Sequence, residues 1–365
     1  MEISFEELLK DMPWDDIHWN PTKLLTMKDR YRNIPEWFLS VSNRGPGKTY
    51  GISWILLEYF RRTGRKFGLV TKIKENLGGI AKGVLNAPLL DRFPNWSLSE
   101  KLATSKQFSE IWISDHSSDE TVDTLAGYCF AVNNSGRLKD FSSLFHDVDI
   151  LFMDEFQSDN YVSREFEKFV NLHDSVARGE GQMVRYVPVI LCSNSISIEN
   201  PYFYELGISA KIQSNTHFYR GDGLVLERFL NKNAAEEREK SAFYRAIRGN
   251  RMVQSNIDNS WLNDNTACIA KPTEEWGNHV YLATLVDGDR KYGVRGYYTS
   301  GYWYVSASVD ANCKNVWNIT VDGVENVPML RTGNLFVNLR RKYTAGQLRF
   351  ANLHIKNRIV DVIYK

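Results

Sequence analysis

Gly45, Gly47, Lys48 and Thr49 stand in the order Gly-x-Gly-Lys-Thr, within the longer stretch Ser42-Asn43-Arg44-Gly45-Pro46-Gly47-Lys48-Thr49. That spacing suits the holding of phosphates. Glycines let backbone N–H groups turn inward around the anion, a lysine reaches the β- and γ-phosphates, and a threonine hydroxyl can hold Mg²⁺. All eight residues are therefore candidate ATP-binding residues, with Thr49 also a candidate metal ligand. Ser42 replaces the first glycine of the usual P-loop pattern. It is expected to be tolerated, because the tightest turns fall at Gly45 and Gly47.

A second constellation is Asp149-Ile150-Leu151-Phe152-Met153-Asp154-Glu155-Phe156. An apolar run ending in two carboxylates is the Walker B arrangement: a buried strand delivers Asp154 to Mg²⁺ and Glu155 to the attacking water. A carboxylate beside the γ-phosphate can orient that water and accept its proton. Taken alone, the stretch reads equally as a buried strand ending in a solvated acidic loop. It follows the P-loop by about 105 residues, in the order that P-loop NTPases use. A third candidate is Asn194, at the end of the apolar run Arg185–Asn194, where it could report hydrolysis by hydrogen-bonding the γ-phosphate or the water. A strand-ending asparagine without a catalytic role is the alternative.

The elements that must position these groups are legible. Glu36–Val41 has strand character, and Tyr50, Ile52, Ile55, Leu56, Tyr59 and Phe60 recur at helical spacing up to Gly64. Strand, loop and helix in that order point a positive helix N-terminus at the anion. Residues 66–72 read as a second strand, with Lys72 and Lys74 at its polar end. Residues 75–100 read as helix and then loop, interrupted by Pro88 and Pro94. Residues 101–113 and 125–132 alternate as a hairpin added to the sheet. Asn133–Asp140 reads as a polar loop carrying Arg137 and Lys139, solvated unless it grips a ligand. A helical pattern covers Arg164–Arg178. Residues 1–35 read as one or two helices packed outside the sheet; Trp14 and Trp19 there are packing residues or, alternatively, stack on adenine.

With 365 residues, 43% hydrophobic and 24% charged, the chain has the composition of a soluble globular protein of two domains. A net charge of +1 excludes a uniformly basic nucleic-acid coat, so any such contact is local. Cys129, Cys192, Cys268 and Cys313 lack metal-ligand spacing and read as thiols in a reducing compartment. There is no signal-peptide pattern and no apolar run approaching 18 residues, which predicts a cytosolic protein without a membrane partner.

Taken together, Trp19-Asn20-Pro21-x-Lys23, the loop at 44–49, Leu125-Ala126-Gly127, Asp154-Glu155-Phe156, Asn171-Leu172-x-Asp174-x-Val176-x-Arg178, and Ser193-Asn194 followed by Asn200-Pro201-Tyr202-Phe203 resemble the genome-packaging ATPases of small protein-primed podophages, the Picovirinae type. Those are ring motors related to large terminase ATPases and to FtsK/HerA translocases. The resemblance runs through roughly residues 19–220 and continues weakly to the end. It implies an α/β P-loop NTPase of the ASCE, RecA-like kind, working as a homo-oligomeric ring, pentameric in the family. Such a ring docks transiently at the capsid portal in the host cytoplasm and drives double-stranded DNA inward with ATP and Mg²⁺. Arg178 falls where the family places the arginine finger that enters a neighbour's site; otherwise it completes the C-terminus of its own helix. Arg44 could play a similar catalytic part in cis. Arg137 and Lys139 match a pore-facing loop and, with Lys74, become candidate DNA contacts.

The expected boundaries are an ATPase domain over 1–206, a lid or linker over 207–248, and a smaller β-rich domain over 249–365. In the last, 279–286, 291–298 and 302–309 read as a meander around an Asp287-Gly288 turn. Terminase relatives carry an RNase H-like nuclease here, built on clustered acids that bind two metals. Asp287, Asp289, Asp310, Asp322 and Glu325 form no such cluster, so the domain is expected to be vestigial. The final 35 residues hold eight Lys or Arg against one acid, a surface for portal, DNA or a scaffold RNA. Two alternatives stay open: a packaging ATPase with an active nuclease, or a nucleotide-dependent interaction switch.

Overall fold

The run before the P-loop carries no charge and only the small hydroxyls of Ser40 and Ser42 among apolar residues, so it suits cover on both faces, and it becomes the interior strand β1 (Trp37–Ser42) of a nine-stranded sheet. The computed structural model describes the chain except residues 1–4, 16–17, 46, 158–161, 179–183, 199, 210, 213–215, 249, 262–266, 321–323 and 365, and it describes Arg251 and Met252 by their backbone alone. Two compact units result: Met1–Ser197 with Ile212–Leu262, and Ile198–Lys211 with Asn263–Lys365.

In the first unit β1 is followed by β2 (Lys66–Thr71), β3 (Trp96–Leu102), β4 (Ser109–Asp115), β5 (Val122–Ala131), β6 (Val148–Asp154), β7 (Val189–Asn194), β8 (Phe218–Arg220) and β9 (Leu224–Phe229). Their order is β3-β4-β5-β2-β6-β7-β1-β9-β8. The six strands from β5 to β9 are parallel; β3, β4 and β8 are antiparallel additions at the edges. All three sequence-predicted site strands, β1, β6 and β7, lie side by side and end at one edge. That edge is where α/β sheets bind ligands.

The helices are α1 (Phe5–Lys10), α2 (Thr22–Leu25), α3 (Lys48–Thr63), α4 (Ile80–Arg92), α5 (Glu165–Val176), α6 (Pro201–Glu205, in the second unit), α7 (Lys232–Lys240), α8 (Ala242–Ala246) and α9 (Arg251–Asp258). α3 is buried from Gly51 to Phe60 and ends on left-handed Gly64. Its close contact with the N-terminal segment explains Gly51: a Cβ there would lie 2.8 Å from the Trp19 carbonyl oxygen. Trp19 is buried, stacks on Phe229 and donates its Nε1–H to Glu227 at 3.2 Å. Trp14 packs edge-on against Trp54. Both rings are spent on packing, and neither is free to stack on a base.

Several local expectations give way to tertiary structure. α4 runs through Pro88, because the Val84 carbonyl that a proline cannot bond receives the Ser53 hydroxyl at 2.9 Å instead. The expected hairpin is a three-stranded antiparallel addition, β3-β4-β5. The expected polar loop 133–140 is part of a 3₁₀-helical segment, Val132–Phe145, that buries Leu138 and Phe145, the latter against Phe108, Tyr128 and Phe130. Within the stretch read as lid or linker, β8 and β9 join the large sheet, and β9 pairs directly with β1.

The second unit holds a five-stranded sheet, β13-β10-β11-β12-β14, built from β10 (His279–Asp287), β11 (Arg290–Tyr297), β12 (Trp303–Ser306), β13 (Val316–Asn318) and β14 (Leu348–Phe350). The first three form the expected meander, with Gly288 at φ +57° in its turn. Helices α10 (Asn334–Thr344) and α11 (Leu353–Tyr364) supply Leu339, Ile355, Ile359 and Ile363 to its core. Asp287 is buried and accepts from Nε and Nη2 of Arg358, each at 2.6 Å. Among the described residues no group of three His, Cys, Asp or Glu could hold a metal ion. Asp322 lies outside them. No described helix is long and apolar enough to cross a membrane.

Candidate active site

The loop between β1 and α3 turns through left-handed backbone at Gly45 (φ +93°) and Gly47 (φ +84°), conformations that side chains rarely tolerate. Gly47 caps α3, and His18 packs against it so closely that a Cβ would meet the ring at 2.9 Å. Pro46 lies outside the described residues. Lys48 opens the helix and is buried; its ammonium donates to Ser42 Oγ at 2.6 Å. The serine in place of the first glycine is thus the hydrogen-bond partner of the lysine. Burial pulls the Lys48 pKa down to about 8, against the opposing field of Asp154 and Glu155. A phosphate arriving here would meet a cation short of counter-charge.

Thr49, one residue into α3, donates its hydroxyl to Asp154 Oδ2 at 2.5 Å, joining positions 105 residues apart. Burial pushes the Asp154 carboxyl up, while the Thr49 hydrogen bond and Lys48 oppose it. A hydroxyl and a carboxylate in contact are a donor set suited to a hard divalent cation, which would also favour the charged carboxylate. The residues present fit Mg²⁺.

Glu155 is exposed just past the end of β6, and its backbone is left-handed at φ +55°. Its N–H donates to Asp154 Oδ1 at 3.0 Å. Such backbone in a non-glycine residue costs energy and concentrates at functional sites. Next to it Gln157, buried, accepts from the Ile196 and Ser197 N–H groups and so ties the turn after β6 to the loop after β7. Asn194 pairs in register with Ser42, on β7 between the P-loop strand and β6. Arg44 is exposed on the loop.

Arg178 is elsewhere. α5 begins beside the site edge, where buried Lys72 and Glu165 pair at 3.1 Å, and runs back about 18 Å along the sheet. Beyond its end Arg178 bridges to Val184, and the neighbouring Arg185 hydrogen-bonds the carbonyls of Phe145, Val148 and Val176. Val148 starts β6 and Asp154 ends it, so Arg178 lies roughly 20 Å from the carboxylates, at the opposite edge. Its side chain is exposed, with one long hydrogen bond to Ser142 Oγ at 3.4 Å.

Arg137 and Lys139 are exposed on the 3₁₀ segment; Lys74 is half-buried and donates to Gln107. Arg137 borders a polar cleft of about 430 Å³ that also takes in Arg164 and Lys168 from α5 and the turn before it. Sequence reading missed those two cations and Gln157, and it named Asn43 as an ATP-binding residue without its partner. The Asn43 side chain is buried and exchanges two hydrogen bonds with the backbone of Asn231, at 3.0 and 3.1 Å. Only the fold brings these partners together, across 188 positions.

The profile of one family, described as Podovirus DNA encapsidation protein (Gp16), matches residues 14–365. The chain is 26% identical to the DNA packaging protein of Bacillus phage PZA over 357 residues, covering 96% of this chain and 98% of that one. It is 27% identical to the DNA packaging protein of Bacillus phage B103 over 324 residues, 86% and 91% of the two chains. Among solved structures, a chain of the bacteriophage Phi-29 viral genome packaging motor assembly superposes with a TM-score of 0.67 at 24% identity, over 95% of this chain and 98% of that one. The Phi-28 gp11 DNA packaging motor gives 0.60 at 17%, over 96% and 99%.

Proposed function

The chain belongs to the podovirus DNA encapsidation protein family, and we propose that within it this protein is an ATP-hydrolysing subunit of a ring that moves double-stranded DNA into a capsid. The observation that carries the hydrolytic part is the convergence of Lys48, Thr49, Asp154 and Glu155 at one edge of the parallel sheet, with Thr49 and Asp154 in direct contact. On this reading the loop N–H groups and Lys48 hold the phosphates, and Asp154 and Thr49 hold Mg²⁺. The bound metal supplies charge neutralisation for the β- and γ-oxygens. Glu155, exposed and aimed by its left-handed backbone, orients water and takes its proton. Asn194 senses the outcome from between the two strands.

Arg178 stands too far from this site to act in its own subunit, which supports a role in a neighbour's. A guanidinium is always charged and stabilises γ-phosphoryl charge that Lys48 alone cannot offset. The site is then complete only in a ring, for which we propose the pentamer that the resemblance implies. Arg137, Lys139 and Lys74 would meet DNA phosphates. The second unit, over most of 249–365, we read as the portal- or scaffold-RNA-facing part, its nuclease site lost because Asp287 is committed to Arg358. The ring would act in the host cytoplasm, docked at the portal.

The test is ATP hydrolysis by the full chain with Mg²⁺, with and without double-stranded DNA. Turnover stimulated by DNA and abolished by EDTA is expected. DNA cleavage with Mg²⁺ or Mn²⁺ in the same tubes would instead restore the nuclease reading.

A further inference from the structure

The loop that would hold the phosphates touches one part of the chain that no motif announces. Asn231, the N-cap of α7, exchanges two hydrogen bonds with the Asn43 side chain, and its own side chain accepts from Ala234 N–H. Asn43 Nδ2 also lies 3.4 Å from the Asn256 carbonyl oxygen on α9. Two helical turns beyond Asn231 on the same face, Arg238 returns to the loop. Its Nη1 donates to the Arg44 carbonyl oxygen. Its Nη2 would stand 2.6 Å from any Cβ placed on Gly45. The Tyr244 ring lies 6.0 Å from its guanidinium carbon.

A guanidinium has five N–H donors and a permanent charge. Among the described residues Arg238 spends one donor on a neutral carbonyl and meets no carboxylate; Glu237, its neighbour on α7, is paired with Lys240. A charged acceptor makes a hydrogen bond roughly twice as strong as a neutral one. A phosphate reaching the crest of the loop therefore outcompetes the Arg44 carbonyl for this cation. The loop N–H groups serve the inner phosphates. The terminal phosphate, which carries the most charge, is left to side-chain cations, of which Lys48 is one.

We propose that Arg238 is a second, intramolecular cation for the terminal phosphate of a nucleoside triphosphate. It rests on Arg44 when the loop is empty and transfers to the phosphate when the triphosphate binds, carrying α7 with it. The proposal rests on the nucleotide-binding reading of the loop. It also explains why Gly45 is glycine twice over: the backbone is left-handed there, and a side chain would displace the guanidinium. Because α7 packs on α8 and α9, the segment from 231 to 258 becomes the part of the first unit that distinguishes triphosphate from diphosphate.

The experiment compares affinities of the full chain for a non-hydrolysable ATP analogue and for ADP. Arg238→Ala is expected to lose about tenfold to a hundredfold for the analogue and under about threefold for ADP, the worth of one hydrogen bond to a charged group. Arg238→Lys should recover part of the difference, and Arg238→Gln, which keeps the aliphatic stem, should behave as Ala does. In the wild type, hydrogen exchange over 232–246 should change with the analogue but not with ADP, and the change should vanish in Arg238→Gln. Equal losses for both nucleotides, or none, would overturn the proposal and leave Arg238 a structural clasp. A wild-type chain that binds neither nucleotide would instead defeat the reading of the loop itself.

Discussion

The two edges of the large sheet are built on opposite plans. At the edge where β1, β6 and β7 end, Lys48 is buried, Thr49 touches Asp154, and Ser42 holds the lysine before any ligand arrives. At the edge where β6 begins, Arg178 reaches into solvent with a single long contact to Ser142. The groups proposed to bind nucleotide already touch one another within one chain, whereas the cation proposed to stabilise the transition state is displayed outward. On the proposed reading, affinity for nucleotide and competence to hydrolyse it are separable, and the second depends on a neighbouring subunit.

The largest effect is expected at Arg178. Arg178→Ala should lower hydrolysis by about 10³- to 10⁵-fold, the worth of an arginine finger, while nucleotide affinity stays near the wild-type value. Steady-state turnover and equilibrium binding on the same preparation check it. Next in size is Glu155→Gln, which keeps shape and removes the proposed base: a loss of about 10²- to 10⁴-fold in turnover is expected, again with binding nearly intact. Near-normal turnover would mean that another group activates water.

A smaller effect sharpens the outward-facing side. Replacing both Arg137 and Lys139 by Ala should weaken DNA binding equally across sequences and flatten its log–log salt dependence by up to about two units. An unchanged slope in a binding titration would return this segment to a solvated connection. The smallest effect probes how dry the inner side is. Glu227 on β9, in register with Ser40 of β1, is pushed up to about 7 by burial, with Trp19 and Lys23 opposing. Its folded pKa exceeds its unfolded one, so the folded state binds the extra proton and stability falls as pH rises from about 4.5 to 7. Glu227→Gln should therefore raise the melting point at pH 8, by the equivalent of about 1–3 kcal/mol, and change little at pH 4. Thermal melts at the two pH values decide it.

What was legible in the sequence is what is contiguous. The P-loop and the β6 carboxylates announce themselves because an apolar run, its glycines and its polar tip lie within a few residues. Asn194 follows from the same logic one strand away. The meander of the second unit was readable from alternation and the Asp287-Gly288 turn. Residues whose meaning lies in a distant partner were not: Asn43 with Asn231, Gln157 with the loop after β7, Arg238 with Arg44, and β9 beside β1. Pro88 misled for a related reason, since the hydroxyl that satisfies the Val84 carbonyl in its place comes from Ser53, 31 positions before Val84. Asp287, an exposed turn acid by sequence, is buried under Arg358 from the end of the chain.

Mixing two inactive variants tests the division between the edges most directly. Arg178→Ala subunits keep a sound Glu155, and Glu155→Gln subunits keep a sound Arg178. In mixed assemblies some interfaces join an intact carboxylate from one subunit to an intact guanidinium from the next. ATPase activity well above either parent, rising with protein concentration, is the predicted result. A mixture as inactive as its parts, over a range where the wild-type chain hydrolyses ATP, would contradict it.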